Sequence, residues 1–192
     1  MPSKQLVATP KWALAQLESI CLRAQVDLPL LHWYRSQEDV GSYDSLPARI
    51  GVCETYEEDH RTAAEITLLH EIAHHLARQI AHTRGHCPAF WEICWRLYLD
   101  QGVPLDQAVY GEFSYHAGAE KALRALQIDL SARVEAAGAY GTACRRLDHL
   151  EAKIQRFSPK PHLQSYLDDL RAQEAQAQAE SRLYLQQWRS AS

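Results

Sequence analysis

The segment from Thr62 to Ala81 constrains this chain more than any other. Its apolar residues Ile66, Leu69, Ile72, Ala73, Leu76 and Ile80 recur at helical spacing yet cover more than one stripe. A helix of that kind must be buried on several sides, so the rest of the fold has to be built around it. Thr62-Ala-Ala-Glu65 reads as a capping box, in which hydroxyl and carboxylate each satisfy an orphan backbone donor. Within the helix stand His70-Glu71-Ile72-Ala73-His74. Residues four apart lie one turn apart on the same face, so both imidazoles can reach one ion.

Zinc suits such nitrogen ligands, and a catalytic zinc usually takes three protein ligands plus a water. Glu71, beside the first ligand, is placed to take a proton from that water as general base, while the metal lowers the water's pKa to about 7. Ten His and 14 Glu in 192 residues make H-E-x-x-H a chance event at roughly 4%, before a buried helix is also required. The candidates for a third ligand are His75, His82, His86 and Glu92. His75 points about 100° around the helix from His74, and His82 lies about 12 Å further along the axis. His86 follows Gly85 and precedes Cys87-Pro88, where the chain can turn back. It is the favoured third ligand, with Glu92 or another acidic residue the alternative.

The flanking sequence supplies the partners such a helix needs. Pro10 marks the start of a helix carrying Ala13, Leu17, Ile20, Cys21 and Ala24. Leu28–Tyr34 and Ala48–Thr55 read as strands, separated by a turn-rich stretch with Gly41, Ser42, Asp44, Ser45 and Pro47. Pro88 opens a second helix with Phe90, Trp91, Cys94, Trp95, Leu97 and Tyr98, closed by Gly102 and Pro104. Past Gly118 the composition shifts to Ala, Gln, Arg and Leu. Tyr140, Ala143, Leu147, Leu150, Ile154 and Phe157 form a two-heptad seam. Pro159 and Pro161 break the chain before a further helix that runs through Leu163, Tyr166, Leu167 and Leu170 to Trp188. The expectation is an α+β fold: a small sheet packed on the motif helix and its successor, followed by a helical hairpin. Residues 1–116 form the expected metal-binding domain and 117–192 a helical extension.

Composition removes several function classes. Residues 1–116 hold 9 Lys+Arg against 15 Asp+Glu, and residues 117–192 hold 11 against 9, so neither part has the basic excess of a nucleic-acid grip. The acidic group Glu54, Glu57, Glu58 and Asp59 reads as a solvated loop. Charged and polar residues interrupt the apolar stretches of the first 22 residues, and no apolar stretch of the chain approaches the roughly 20 residues that span a bilayer. Five scattered cysteines without a C-x-x-C pair fit free thiols in a reducing compartment, so a cytoplasmic protein is expected. Tyr98, Tyr110, Tyr115, His82 and His116 read as packing or surface residues rather than electrophilic partners in catalysis. Trp91 and Trp95 read as core, and Cys87 as a capping or buried thiol. The C-terminal seam reads as an internal packing stripe, with a protein-binding coiled coil as the alternative.

The stretch Leu68-Leu-His-Glu-Ile-Ala-His-His-Leu, followed by Gly85-His-Cys-Pro-Ala-Phe-Trp-Glu92, resembles the SprT-like and related minimal zincin metallopeptidases. The likeness covers residues 48–100. It implies zinc held by His70, His74 and His86, Phe90 anchoring the second helix, and a segment around Ile50–Cys53 as the edge strand of a substrate cleft. Cys87 stands where that family often has glycine. The G-H-x-P-x-F segment favours this family over toxin-regulating metallopeptidases with an acidic third ligand. The function so implied is hydrolysis of peptide bonds in a protein or peptide substrate. The rivals are a zinc hydrolase of a non-peptide amide or ester, and an interaction protein whose metal only fixes the fold.

Overall fold

The computed structural model describes residues 5–35, 41–53, 60–160 and 163–191. Two compact units emerge, Met1–Pro104 and Leu105–Ser192, where composition draws the line after residue 116.

The first unit is α+β. Its elements are β1 (Gln5–Val7), α1 (Lys11–Ala24), β2 (Leu30–Arg35), β3 (Gly41–Ser45), β4 (Ala48–Cys53), α2 (His60–Ile80) and α3 (Pro88–Gln101). The sheet is mixed, in the order β1-β2-β4-β3: β2 and β4 run parallel, and the outer strands pair antiparallel. Register sets what each face carries. Leu31 pairs with Ile50 and Trp33 with Val52, while on the other side of β4 Tyr43 pairs with Ile50 and Gly41 with Val52. Because side chains alternate along a strand, all six share one face. Ile50 and Val52 are fully buried there, and Trp33 meets Trp12 of α1 edge to face at 5.7 Å.

The motif helix α2 owes its place to burial. Leu68, Leu69, Ile72 and Ala73 are inaccessible to solvent, and Leu76 and Ala77 nearly so. Each large apolar side chain so buried contributes roughly 1.5–3 kcal/mol, several times what any single helix-propensity term adds. Helix α3 begins at Pro88, as the sequence predicts, and ends at Gly102 in the left-handed conformation. Phe90, Trp91, Cys94, Trp95 and Tyr98 are all buried, so the two tryptophans belong to the core.

Three local readings need correction. The expected capping box does not form: Thr62 lies inside α2, and the Glu65 carboxylate accepts from Gln16 Nε2 at 2.7 Å, so a contact from α1 takes the group the box requires. The stretch from Gly41 to Ser45, read as turn, is strand β3, and the chain turns only at Leu46-Pro47. In consequence Ile50–Cys53 is no edge strand. It lies in β4 between β2 and β3, and the edge beside α2 is β3. The end of the expected strand at Thr55, the acidic group from Glu54 to Asp59, and Pro161 lie outside the described residues.

The second unit is helical: α4 (Leu105–Tyr115), α5 (Ala117–Ala125), α6 (Ala132–Phe157) and α7 (Gln164–Ser190). Ser131 caps α6 by accepting from the Val134 amide. The expected helical hairpin is α6 with α7, and the seam closes within the chain: Leu150 is buried with Leu170 and Ala177, flanked by Leu147, Ile154 and Phe157. Gly138 lets α4 approach α6, since a Cβ there would stand 2.9 Å from the Phe113 ring. Asp106 accepts from Arg133 Nε at 2.7 Å and Trp188 Nε1 at 2.9 Å, joining α4 to α6 and α7. Among the described residues no helix is long and apolar enough to cross a membrane.

Candidate metal centre

Helix α2 presents His70 and His74 one turn apart, and the loop before α3 brings His86 back to them. The three imidazole centroids form a nearly equilateral triangle: 5.0 Å from His70 to His74, 4.8 Å from His74 to His86, and 5.1 Å from His70 to His86. The Nε2 atoms of His70 and His86 are 3.1 Å apart. Two nitrogens bound tetrahedrally to one zinc at 2.0–2.1 Å would be separated by about 3.3 Å, so this pair already stands near ligand spacing. The nitrogens of His70 and His86 stand close enough to share one ion, and neutral imidazoles suit zinc.

Phe90 forms the floor. Its ring lies 4.2 Å from that of His74, 4.9 Å from His86 and 5.0 Å from His70, and it is fully buried. The return of the chain follows from local sequence: α2 ends at Ile80, His82 and Gly85 take positive φ, and Pro88 restarts a helix. Trp91 stacks on His86 at 5.4 Å, giving the exposed imidazole one packed face.

Glu71 is only 7% exposed and lies against the start of β3. The other third-ligand candidates are occupied or turned away. His75 is fully buried, with Nε2 2.7 Å from the Asp27 carbonyl oxygen and Nδ1 3.2 Å from the Tyr43 hydroxyl. A carbonyl can only accept, so His75 Nε2 carries a proton and the ring is fixed as a strut. Glu92 sits on the outer face of α3, ion-paired with Arg96 at 3.0 Å. His82 is exposed.

Tyr43 is a residue of this site that periodicity and motif spacing do not reveal. Its ring lies parallel to that of His74 at 6.3 Å while its hydroxyl meets His75, so one residue of β3 touches two consecutive residues of α2. Burial raises its pKa, against a lowering from the charge of Arg78. The available signal was weak: a lone aromatic between two polar residues, in a stretch whose composition says turn. Tyr43→Phe should leave one nitrogen of a wholly buried imidazole without its partner, at a cost of about 1–3 kcal/mol. A fall in the urea midpoint at unchanged slope would show it; an unchanged midpoint would mean the strut carries no stability. Tyr98 is buried and donates to the Ile66 carbonyl oxygen at 3.4 Å, a packing role as its spacing predicts. Tyr110, Tyr115 and His116 belong to the second unit.

At Cys87, the N-cap of α3, burial pushes the thiol pKa up, but the Thr83 side chain and the backbone amides of Phe90 and Ala89 outweigh it and lower the value. Cys21, buried on α1, is pushed up to about 11 by burial. None of the five cysteines is in a disulfide.

No family model, curated protein or solved structure matches this chain. A four-stranded mixed sheet packed on helices, with His70-Glu71-x-x-His74 on a buried helix, is a small zincin-like α+β fold.

Proposed function

We propose that the chain is a zinc-dependent metallopeptidase, related in mechanism to the SprT-like minimal zincins, and that it works in a reducing compartment such as the cytoplasm. The observation that carries this reading is the convergence of three imidazoles above one buried aromatic floor, two of them from the helix that carries the Glu71 carboxylate. His70, His74 and His86 would hold the metal. A bound zinc supplies Lewis-acid polarisation of a carbonyl and lowers the pKa of water to about 7.

Everything else falls to the chain's own groups. Glu71 acts as general base, its carboxylate taking a proton from the attacking water. The same proton, now on the Glu71 carboxyl, passes to the leaving amine nitrogen as the C–N bond breaks, so the residue ends as it began. Phe90 and Trp91 exclude water from one side of the imidazoles and hold the rings in place. The scattered cysteines, odd in number and without a C-x-x-C pair, support the compartment.

The test is metal analysis joined to cleavage of a defined peptide library, with and without a chelator. One zinc per chain, and peptide hydrolysis that chelation abolishes and added zinc restores, is the expected result. Zinc-dependent turnover confined to non-peptide amides or esters would replace the peptidase with another hydrolase. Unfolding on zinc removal, with no hydrolysis of any substrate before it, would leave the metal a structural role.

A further inference from the structure

Gly41 opens β3 on the face that meets α2, and the reason for a glycine there is space. Its φ lies outside the left-handed region, so any residue could adopt the backbone conformation. A Cβ at this position, however, would stand 2.6 Å from Thr67 Cγ2 and 2.7 Å from Glu71 Oε1, with Glu71 Cγ at 3.2 Å. No ordinary Cβ contact is that short. Thr67 cannot readily give way, because its hydroxyl donates to the Ala63 carbonyl oxygen at 3.1 Å and so sets the direction of its methyl. Glu71 Oε1 is the far end of a long side chain, so Glu71 is the side that a Cβ would displace.

Two residues along the same face, the Tyr43 hydroxyl meets His75 Nδ1, and His75 is tied in turn to the Asp27 carbonyl oxygen. That chain of contacts fixes how near β3 comes to α2. Glycine at 41 is what the resulting gap permits.

We infer that Gly41 is a positioning residue for Glu71: the missing side chain leaves the slot between β3 and α2 that holds the carboxylate at one place and angle. The inference rests on the reading of Glu71 as general base. It assigns a role to a strand that the H-E-x-x-H motif does not contain.

The test uses the full chain and the variant Gly41→Ala. Displacing a reacting group by a fraction of an ångström to an ångström costs roughly 10- to 100-fold in rate. The expected result is a kcat loss of that size, with KM and zinc affinity within about twofold of the parent. In a Glu71→Asp background, where the carboxylate is one methylene shorter, the same substitution should cost less than about twofold. Equal losses in both backgrounds, or none in either, would overturn the inference.

A second readout needs no turnover. With Co2+ loaded in place of zinc, the visible absorption reports the metal's surroundings. Glu71→Ala should shift this spectrum. Gly41→Ala should shift it in the parent and leave the Glu71→Ala spectrum unchanged. A spectrum indifferent to Glu71→Ala would remove Glu71 from the metal, and with it the proposed mechanism. A spectrum that responds to Glu71→Ala but not to Gly41→Ala would defeat the positioning role alone. If Gly41→Ala does not fold, Thr67→Ser is added, which deletes the obstructing methyl and keeps the hydroxyl. Failure of that double variant to fold would also count against the inference, since Gly41 would then serve packing and not the placement of Glu71.

Discussion

Glu71→Gln is expected to keep the fold and the zinc while hydrolysis falls by roughly 10²- to 10⁴-fold, the range that a positioned acid–base group contributes. The exchange is nearly isosteric, so the packing of residue 71 against Gly41 survives. Residue 71 is almost wholly buried, and a neutral amide is less costly to bury than a carboxylate, so stability should hold or rise. What the amide cannot do is accept a proton at neutral pH. Turnover should therefore collapse while zinc stoichiometry and the thermal midpoint stay near the parent's values. Full turnover in a zinc-replete variant would exclude Glu71 as general base, whatever the histidines hold.

How much of this was legible in the sequence depends on how local each feature is. Helices α2 and α3 were readable because their apolar residues repeat within a few turns and Pro88 and Gly102 punctuate the chain. The α6 seam was readable for the same reason. Its Leu150 closes onto Leu170 across the hairpin, as a heptad stripe with no other outlet should. Strands β2 and β4 carried enough apolar residues to be seen. β3 did not, because Ser42 and Asp44 lie on the face away from α2, and a short polar edge strand differs little in composition from a turn. Thr62 and Glu65 show the opposite failure. Their local signal was sound, but Gln16, 49 residues upstream of Glu65, took the carboxylate. His70, Glu71 and His74 fall within one turn and were visible at once. Gly41, Tyr43 and the buried role of His75 depend on where β3 is laid, which periodicity does not encode.

The deciding comparison for the metal concerns His86, because it alone reaches the cluster through a change of chain direction. His86→Ala should lose zinc at concentrations where His82→Ala and His75→Ala remain loaded. Taking one nitrogen from a site with three protein ligands leaves two, and the binding free energy of such sites depends steeply on ligand number. The controls differ from one another in a useful way. His82 is exposed, so its replacement should change neither zinc affinity nor stability. His75 is fully buried and bonded at both ring nitrogens, so His75→Ala should lower the unfolding midpoint, with zinc still bound by the folded fraction. Equilibrium zinc titration of all three, each first checked for folding by circular dichroism, separates loss of a ligand from loss of structure. If His86→Ala kept its zinc while His82→Ala shed it, the third ligand would lie on the extension of α2. The 3.1 Å approach of His70 and His86 would then be a hydrogen bond between two surface imidazoles and nothing more.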